Sequence, residues 1–157
     1  MLKRFLGSIF RFTPLPLRRL FSRAMNARFS ATAGAVVIDE RGRLLLLKHV
    51  FRSGSGWGIP GGFIRAGEQP EEAMRRELRE EVGLELGRAE IAFIRTLKST
   101  QQIEIIFCCR PEGQALPQSV EVERAAWFPL QALPETLSED QRRLIERALS
   151  DRAKRPN

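Results

Sequence analysis

Short apolar runs separated by polar turns dominate the chain between residues 33 and 128. Five of these runs have the length and composition of β-strands, and they cover residues 35–38, 43–48, 89–98, 102–110 and 122–128. The first two flank a polar turn at Asp39–Gly42, and the third and fourth are joined near Ser99 and Thr100 as a hairpin. Because the runs are nearly continuous in apolar residues, they predict strands that are covered on both faces.

Two other segments have helical patterns. The first begins at Pro70, which suits the first turn of a helix because it has no N–H to leave unpaired, and it ends before Gly83. The second begins at Ser138, a favourable capping residue, with acidic residues at positions 139 and 140. Its apolar face consists of Leu144, Ile145, Ala148 and Leu149. Helices interspersed with covered strands predict a layered α/β fold.

The first 30 residues differ from the rest in charge and in pattern. Seven of the 26 basic residues precede Asp39, the first acidic residue, so the remaining chain is balanced, with 19 basic and 19 acidic side chains. Large apolar residues are interspersed with the early arginines and lysines until Pro14 and Pro16 interrupt the pattern. Residues 1–30 are predicted to form a basic amphipathic segment, residues 31–150 one globular domain and residues 151–157 a flexible tail.

Three interpretations of the amphipathic segment are open. Residues 1–29 can lie on an anionic membrane surface, because basic residues flank Phe and Leu without any acid. They can instead pack on their own domain or on a second copy of the chain, as in a homodimer, or act as a removable transit peptide. Since the rest of the chain is balanced in charge, no specific nucleic-acid binding is predicted.

The composition is that of a globular protein and favours a cytoplasmic location, with peripheral membrane contact if the first interpretation holds. The hydrophobic fraction is 43%. The sequence contains no run of 18 apolar residues, so no membrane-spanning helix is predicted. The two cysteines, Cys108 and Cys109, are adjacent. Their side chains would point to opposite faces of a strand, which disfavours a disulfide between them and fits a reducing compartment.

The densest chemical signal lies between Gly62 and Leu84. Within this stretch Glu77, Glu80 and Glu81 are spaced so that they share one helical face. Like charges at this spacing repel by about 0.2–0.5 kcal/mol per pair. A divalent cation would reverse the sign of this interaction, and clustered carboxylate oxygens are the ligands that Mg²⁺ prefers. The pattern therefore predicts a magnesium site, which Mn²⁺ can also occupy.

The fixed positions of this stretch resemble the Nudix box of the Nudix hydrolases. Gly62 is followed after five residues by Glu68, and after a further seven by Arg-Glu-Leu-Arg-Glu-Glu-Val-Gly-Leu at residues 76–84. The resemblance implies a Nudix-type α/β/α sandwich with a mixed β-sheet over about residues 30–150. In such a sandwich the box forms a loop, a helix and a loop. The first 30 residues are not explained by it.

Nudix hydrolases cleave the diphosphate linkage of a nucleoside diphosphate derivative by water attack at phosphorus, with the help of a divalent metal. Carried over to this sequence, the resemblance implies that Glu77, Glu80 and Glu81 bind the metal together with the carbonyl of Gly61. Glu68 either binds the metal as well or favours the N-terminus of the helix. The residue that activates the water would be Glu80, Glu81 or a residue on a later loop.

Further residues are candidates for supporting roles. Arg76 is predicted to hold a carboxylate in place rather than to react. Glu121 is the first choice for an additional metal or base role, and Glu123 is the second. Trp57 either stacks on the substrate or packs within the domain. His49, the single histidine, is predicted to have a structural role at the end of a strand.

The resemblance defines the cleaved bond better than the substrate. ADP-ribose pyrophosphatases typically have a proline shortly after the box, where this chain has Ser99, Thr100 and Gln101. The tyrosine of diadenosine polyphosphate hydrolases and the signature of NADH-cleaving enzymes are also absent. A nucleoside triphosphate, including an oxidised one, is the first prediction, followed by a nucleotide sugar or ADP-ribose. The alternative is a catalytically silent Nudix domain that senses nucleotides or binds proteins.

Overall fold

The computed structural model describes residues 14–18, 27–51, 54 and 56–154. Most of the amphipathic N-terminal segment lies outside the described residues, so membrane contact, packing and removal all stay predictions for it. Its described part contains a helical turn at residues 15–18, in which the N–H of Arg18 donates to the carbonyl of Pro14 at 3.1 Å. No helix within the described ranges is long and apolar enough to cross a membrane.

Two β-sheets form the centre of the domain. The strands are β1 (Ser30–Val37), β2 (Arg43–His49), β3 (Trp57–Gly58), β4 (Gly61–Phe63), β5 (Glu85–Leu97), β6 (Gln102–Glu112) and β7 (Val122–Pro129). The first sheet is mixed, in the order β4-β1-β6-β5, because β1 runs parallel to β6 while the other pairs are antiparallel. The second sheet is antiparallel, in the order β3-β2-β7. The predicted mixed sheet is thus confirmed, and the second sheet adds to it.

Local sequence sets the ends of the two long helices, α1 (Pro70–Val82) and α2 (Glu139–Ala153). Before α1, the N–H of Gln69 donates to the Glu72 carboxylate at 3.0 Å. After α1, Gly83 adopts a left-handed φ of 64°, which glycine tolerates because it lacks a Cβ. Ser138 caps α2 by accepting a hydrogen bond from the N–H of Gln141 at 3.3 Å. The flexible tail was predicted from residue 151, whereas α2 continues to Ala153.

The helices cover opposite faces of the strands. Buried side chains of α1 pack with Ala33, Ala35 and Val37, and buried side chains of α2 pack with Val36 and its neighbours. Alternate residues of one strand therefore serve two separate cores. This arrangement confirms the predicted α/β/α sandwich.

The adjacent cysteines follow the same alternation. Cys108 belongs to the core beside α2, and Cys109 belongs to the core beside α1. Sγ of Cys108 lies 3.6 Å from the carbonyl oxygen of Ala148 on α2, and Sγ of Cys109 lies 3.9 Å from Sδ of Met74 on α1. Burial raises the pKa of Cys109 to about 12, so its thiol is protonated and unreactive at neutral pH.

Candidate active site

Two glycines allow strand β4 to pack closely on its neighbours, Gly61 on β1 and Gly62 on α1. A Cβ at Gly61 would overlap the carbonyl oxygen of Ala33, and the φ of Gly61 is 142°, a value that other residues rarely adopt. A Cβ at Gly62 would overlap the carboxylate of Glu77. The carboxylate of Glu77 therefore packs directly on the backbone of β4, at the point where Glu81 of the next helical turn also reaches the strand.

Glu81 is the buried member of the acidic face. Among the described residues it is the single charged side chain that is buried, with 7% of its surface exposed. Its Oε2 accepts a hydrogen bond from the N–H of Gly61 at 3.3 Å, and its Oε1 lies 3.6 Å from Nε2 of His49. A carboxylate withdrawn from water needs opposite charge or hydrogen bonds to compensate for the lost hydration.

Arg76 connects three of the box glutamates. Its Nε and Nη2 donate to both oxygens of Glu68 at 2.8 and 3.0 Å, and its Nη1 lies 2.7 Å from Glu77 and 3.2 Å from Glu80. The same guanidinium donates to the carbonyl of Phe63 at 3.1 Å, which ties α1 to β4. This forked geometry is specific to arginine. It matches the supporting role predicted for Arg76, a role that no measurement yet tests.

The network has a strong effect on Glu68. The hydrogen bonds from Arg76, together with one from the N–H of Arg65 at 2.9 Å, lower the pKa of Glu68 to about 2. In turn, the hydrogen bond to Glu68 is the main reason that the pKa of Arg76 is raised. Both oxygens of Glu68 accept hydrogen bonds in this network, and metal binding by Glu68 stays a prediction.

Glu80 is the exposed member of the acidic face. Its carboxylate lies 3.2 Å from Arg76 and 3.3 Å from Nη2 of Arg65, a longer set of contacts than those of Glu68. Sequence reasoning did not identify Arg65, because its position within the box pattern is unconstrained and only its charge could have indicated a role.

His49 has a contact with the acidic face that sequence reasoning did not predict. It does lie at the end of β2, as predicted, but it also lies against Glu81. The N–H of the next residue, Val50, donates to the carbonyl of Glu121 at 2.9 Å. The pairing of β2 with β7 brings these segments together, and this pairing cannot be read from local sequence.

The remaining candidates occupy the surroundings of the site. The side chain of Glu121 is exposed and forms no ion pair within the described part of the chain, although its backbone joins Val50. Glu123 forms an ion pair with Lys48 at 2.8 Å. Trp57 packs edge to face on Phe128 at a ring distance of 5.1 Å. The functional roles of Glu121, Glu123 and Trp57 stay predictions.

The acidic face fits a divalent cation in part. Within the described residues no three acidic, histidine or cysteine side chains converge as a metal cluster, and Arg76 contacts both Glu77 and Glu80. Two features nevertheless suit an ion. Glu81 is a buried carboxylate, and the glycine pair leaves no side chain between β4 and the carboxylates of α1. Oxygen donors of this type are those that Mg²⁺ and Mn²⁺ prefer.

A cavity of about 190 Å³ lies beside β4, between the mixed sheet and α2. Its polar lining includes Thr32, Gln102, Glu104 and Gln141, and Gly61 and Gly62 of β4 form part of its wall. The same short strand therefore borders both the acidic face of α1 and the cavity. A ligand in the cavity would lie next to the carboxylates.

The two sheets lie between α1 and α2, and α1 carries the acidic face, so the domain is an α/β/α sandwich with a cluster of carboxylates beside β4. The family model of the NUDIX domain matches residues 28–148, so the chain belongs to the Nudix hydrolase family. This confirms the family prediction made from the box.

Individual relatives agree with this assignment. The chain is 29% identical to a MutT-like protein of Streptomyces ambofaciens over 111 residues, which are 70% of each protein. It is 32% identical to the human 8-oxo-dGDP phosphatase NUDT18 over 66% of this chain, but that match spans only 33% of the human protein. A crystal structure of the MutT NUDIX hydrolase from Burkholderia pseudomallei has a TM-score of 0.69 at 26% identity and covers 77% of this chain and 98% of that one.

Proposed function

We propose that this protein is a Mg²⁺-dependent pyrophosphohydrolase that cleaves the diphosphate linkage of a nucleoside diphosphate derivative. A nucleoside triphosphate, including an oxidised one, is the first substrate class, and nucleotide sugars and ADP-ribose follow. The observation that carries the proposal is the buried carboxylate of Glu81 beside the glycine pair of β4. The relatives named for MutT and for 8-oxo-dGDP cleavage support the nucleotide class.

The proposed metal site consists of oxygen donors on α1 and β4. Glu77, Glu80 and Glu81 would hold the ion together with the carbonyl of Gly61. When bound, the ion neutralises charge on the substrate and on the site, polarises the phosphoryl oxygens and lowers the pKa of water. Arg76 keeps Glu77 oriented through its contact of 2.7 Å.

The proposed chemistry needs a base for the attacking water. The oxygen of water bonds to phosphorus, its proton passes to a carboxylate, and the bond from phosphorus to the bridging oxygen breaks with its electrons on the leaving phosphate. Glu80 and Glu81 are the two candidates. Glu80 is exposed to solvent, whereas Glu81 is buried and bonded to Gly61, so the two can be separated by substitution.

A hydrolysis screen in Mg²⁺ tests this function. The full chain is incubated with nucleoside triphosphates, nucleotide sugars, ADP-ribose and dinucleotides, and the products are separated by anion-exchange chromatography. Cleavage between two phosphates that stops on chelation is expected, and the best substrate names the class. If no compound is cleaved while nucleotides still bind, the protein is a silent Nudix domain and the proposal is wrong.

A further inference from the structure

The cavity beside β4 has a polar floor formed by Thr32 and Glu104, which are register partners on β1 and β6. Phe63 of β4 and Arg95 of β5 continue this row on either side; Phe63 borders the cavity, and Arg95 contacts Glu104. The next row contains Gly34, and a Cβ there would lie 3.0 Å from Ile59. The cavity therefore stays open partly because Gly34 has no side chain, while polar atoms line its floor.

Glu104 is held in a fixed position in this floor. Its Oε2 accepts a hydrogen bond from Nε of Arg95 at 2.6 Å, and Arg95 also binds both oxygens of Asp140 at 2.8 and 2.7 Å. The hydrogen bond from Arg95 occupies one oxygen of Glu104 and orients the carboxylate. The other oxygen, Oε1, is the acceptor that Glu104 offers to a ligand in the cavity.

Gln141 supplies a donor from α2. Its Oε1 accepts a hydrogen bond from the N–H of Ile59 at 3.0 Å. Because a backbone N–H can only donate, the atom that it meets must be the oxygen, and this fixes the orientation of the amide. The NH₂ group of Gln141 is then the group left to meet a ligand.

Phe63 lies at the rim of the cavity. It is 62% exposed, and it borders the same space as Glu104. An exposed aromatic ring beside a polar cavity is suited to stacking on a planar heterocycle. This observation is independent of the polar groups, and it also indicates a ring-shaped ligand.

We propose that the cavity binds the base of a guanine nucleotide, with Glu104 and Gln141 as the residues that select it. Guanine presents two adjacent donors, N1–H and the 2-amino group, next to the acceptor O6. A carboxylate oxygen accepts from the two donors, and an amide NH₂ donates to O6. Oxidation at C8 leaves all three groups in place. The proposal rests on the proposed function, because it names the substrate class of the same site.

Other bases match this lining less well. Adenine has the acceptor N1 where guanine has the donor N1–H. In the cavity, N1 of adenine would therefore face the carboxylate oxygen of Glu104, and neither atom could donate a hydrogen bond to the other. Hypoxanthine keeps N1–H and O6 but lacks the 2-amino group. A site built to hydrogen-bond a particular group rejects an analogue that lacks it, because the site's own polar atoms are then left unpaired.

The inference is tested by product binding and by turnover in Mg²⁺. Calorimetry with GMP, IMP and AMP should give affinities in that order, with GMP at least about tenfold tighter than AMP. The ratio of kcat/KM for GTP to that for ATP should follow the same order. Product binding does not depend on cleavage, so it reports on the cavity even if the proposed function fails.

Two variants assign the selectivity to residues. Glu104→Gln should reduce the guanine preference at least about fivefold, while Glu112→Gln, exposed on the same strand, should leave it unchanged. Gln141→Glu keeps an oxygen for Ile59 but removes the donor, so it should weaken GMP and not AMP. If Glu104→Gln folds poorly, the affinities of Gln141→Glu for GMP and AMP still test the proposed selectivity.

Three results would overturn the inference. They are equal affinity for GMP and AMP, equal kcat/KM for GTP and ATP, or a ratio that neither variant alters. Base-independent cleavage would overturn it while preserving the proposed function. Selective GMP binding without any cleavage would preserve the inference and contradict the proposed function.

Discussion

Arg76 changes how the repulsion among the box glutamates should be understood. Glu68, Glu77 and Glu80 all contact it, and Arg65 adds a second positive charge beside Glu80. With the buried Glu81 included, four negative charges face two positive ones. The remaining charge of −2 would be balanced by one divalent cation, so the arginines would neutralise one half of the acidic charge and the proposed metal ion the other half.

Glu80 and Glu81 are the first targets for substitution at the residue scale. Glu80→Gln and Glu81→Gln should each lower kcat at least about 100-fold, because a metal ligand or a base is lost, while circular dichroism stays unchanged. Glu85→Gln, which lies just beyond α1 and is exposed, is the matched control. Wild-type turnover in both variants would remove these residues from the mechanism.

Arg76 can be tested by a substitution that keeps its charge. Arg76→Lys loses the fork that binds Glu68 and Glu77 together, so activity should fall about 10–100-fold and more Mg²⁺ should be needed for half-maximal rate. Arg79→Lys on the exposed side of α1 should change neither quantity. A rate loss without any shift in the Mg²⁺ requirement would argue against a role in holding metal ligands.

At the scale of elements, strand β4 determines how the carboxylates sit. Gly62→Ala should displace the carboxylate of Glu77 and lower metal-dependent activity at least about tenfold. Gly67→Ala is the control, because its φ of 85° strains alanine by about 1–3 kcal/mol but no atom lies within 4 Å of the added Cβ. Thermal melting should show destabilisation of Gly67→Ala without loss of turnover. Equal activity of Gly62→Ala and wild type would show that the contact is dispensable.

The start of α2 is linked to β5 by the pair of Asp140 and Arg95. The hydrogen bonds from Arg95 hold the pKa of Asp140 below its ordinary value of 3.8. A lowered pKa adds stability above pH 3.8, and this contribution is lost as pH falls through the folded-state pKa.

Asp140→Asn should therefore destabilise the domain by about 0.5 kcal/mol at neutral pH, a small amount because the side chain is exposed. The difference from wild type should vanish in urea titrations as pH falls through the folded-state pKa of Asp140, which lies below 3.8. Glu139→Gln, the neighbouring residue on the same turn, provides the control. A difference that persists at low pH would show that packing, not charge, is responsible.

The elements themselves were largely predictable from sequence, and their pairing was not. Pro70, Gly83 and Ser138 mark helix ends through local chemistry, and α1 and α2 begin where they indicate. Which strands pair depends on contacts between distant residues. The second sheet, which joins β2 to β7, therefore had no local signal.

The candidate site also combines features that local sequence predicts with features that depend on long-range contacts. Glu77, Glu80 and Glu81 lie within one helix, so their shared face followed from spacing alone. His49 reaches Glu81 from another sheet, and the cavity collects residues from β1, β4, β6 and α2. A group of this kind has no period in the sequence, and only the three-dimensional fold brings it together.

At the scale of the whole molecule, the basic segment at residues 1–29 is the main open feature. If it binds membranes, deleting it should abolish sedimentation with anionic phosphatidylserine vesicles and leave hydrolysis unchanged, because the family match begins at residue 28. Neutral phosphatidylcholine vesicles serve as the control. Equal binding of the truncated and full-length chains would favour packing on the domain or on a second copy.

The position of β4 between the acidic helix and the cavity separates two kinds of evolutionary change. If the cavity binds the substrate as proposed, mutations on the α2 side of the mixed sheet would alter which molecule is bound, while the carboxylates on the α1 side would keep their surroundings. A lineage can thus acquire new substrates by exchanging a few side chains on one surface. The three residues of β4 have no such freedom, since each of them serves both sides at once.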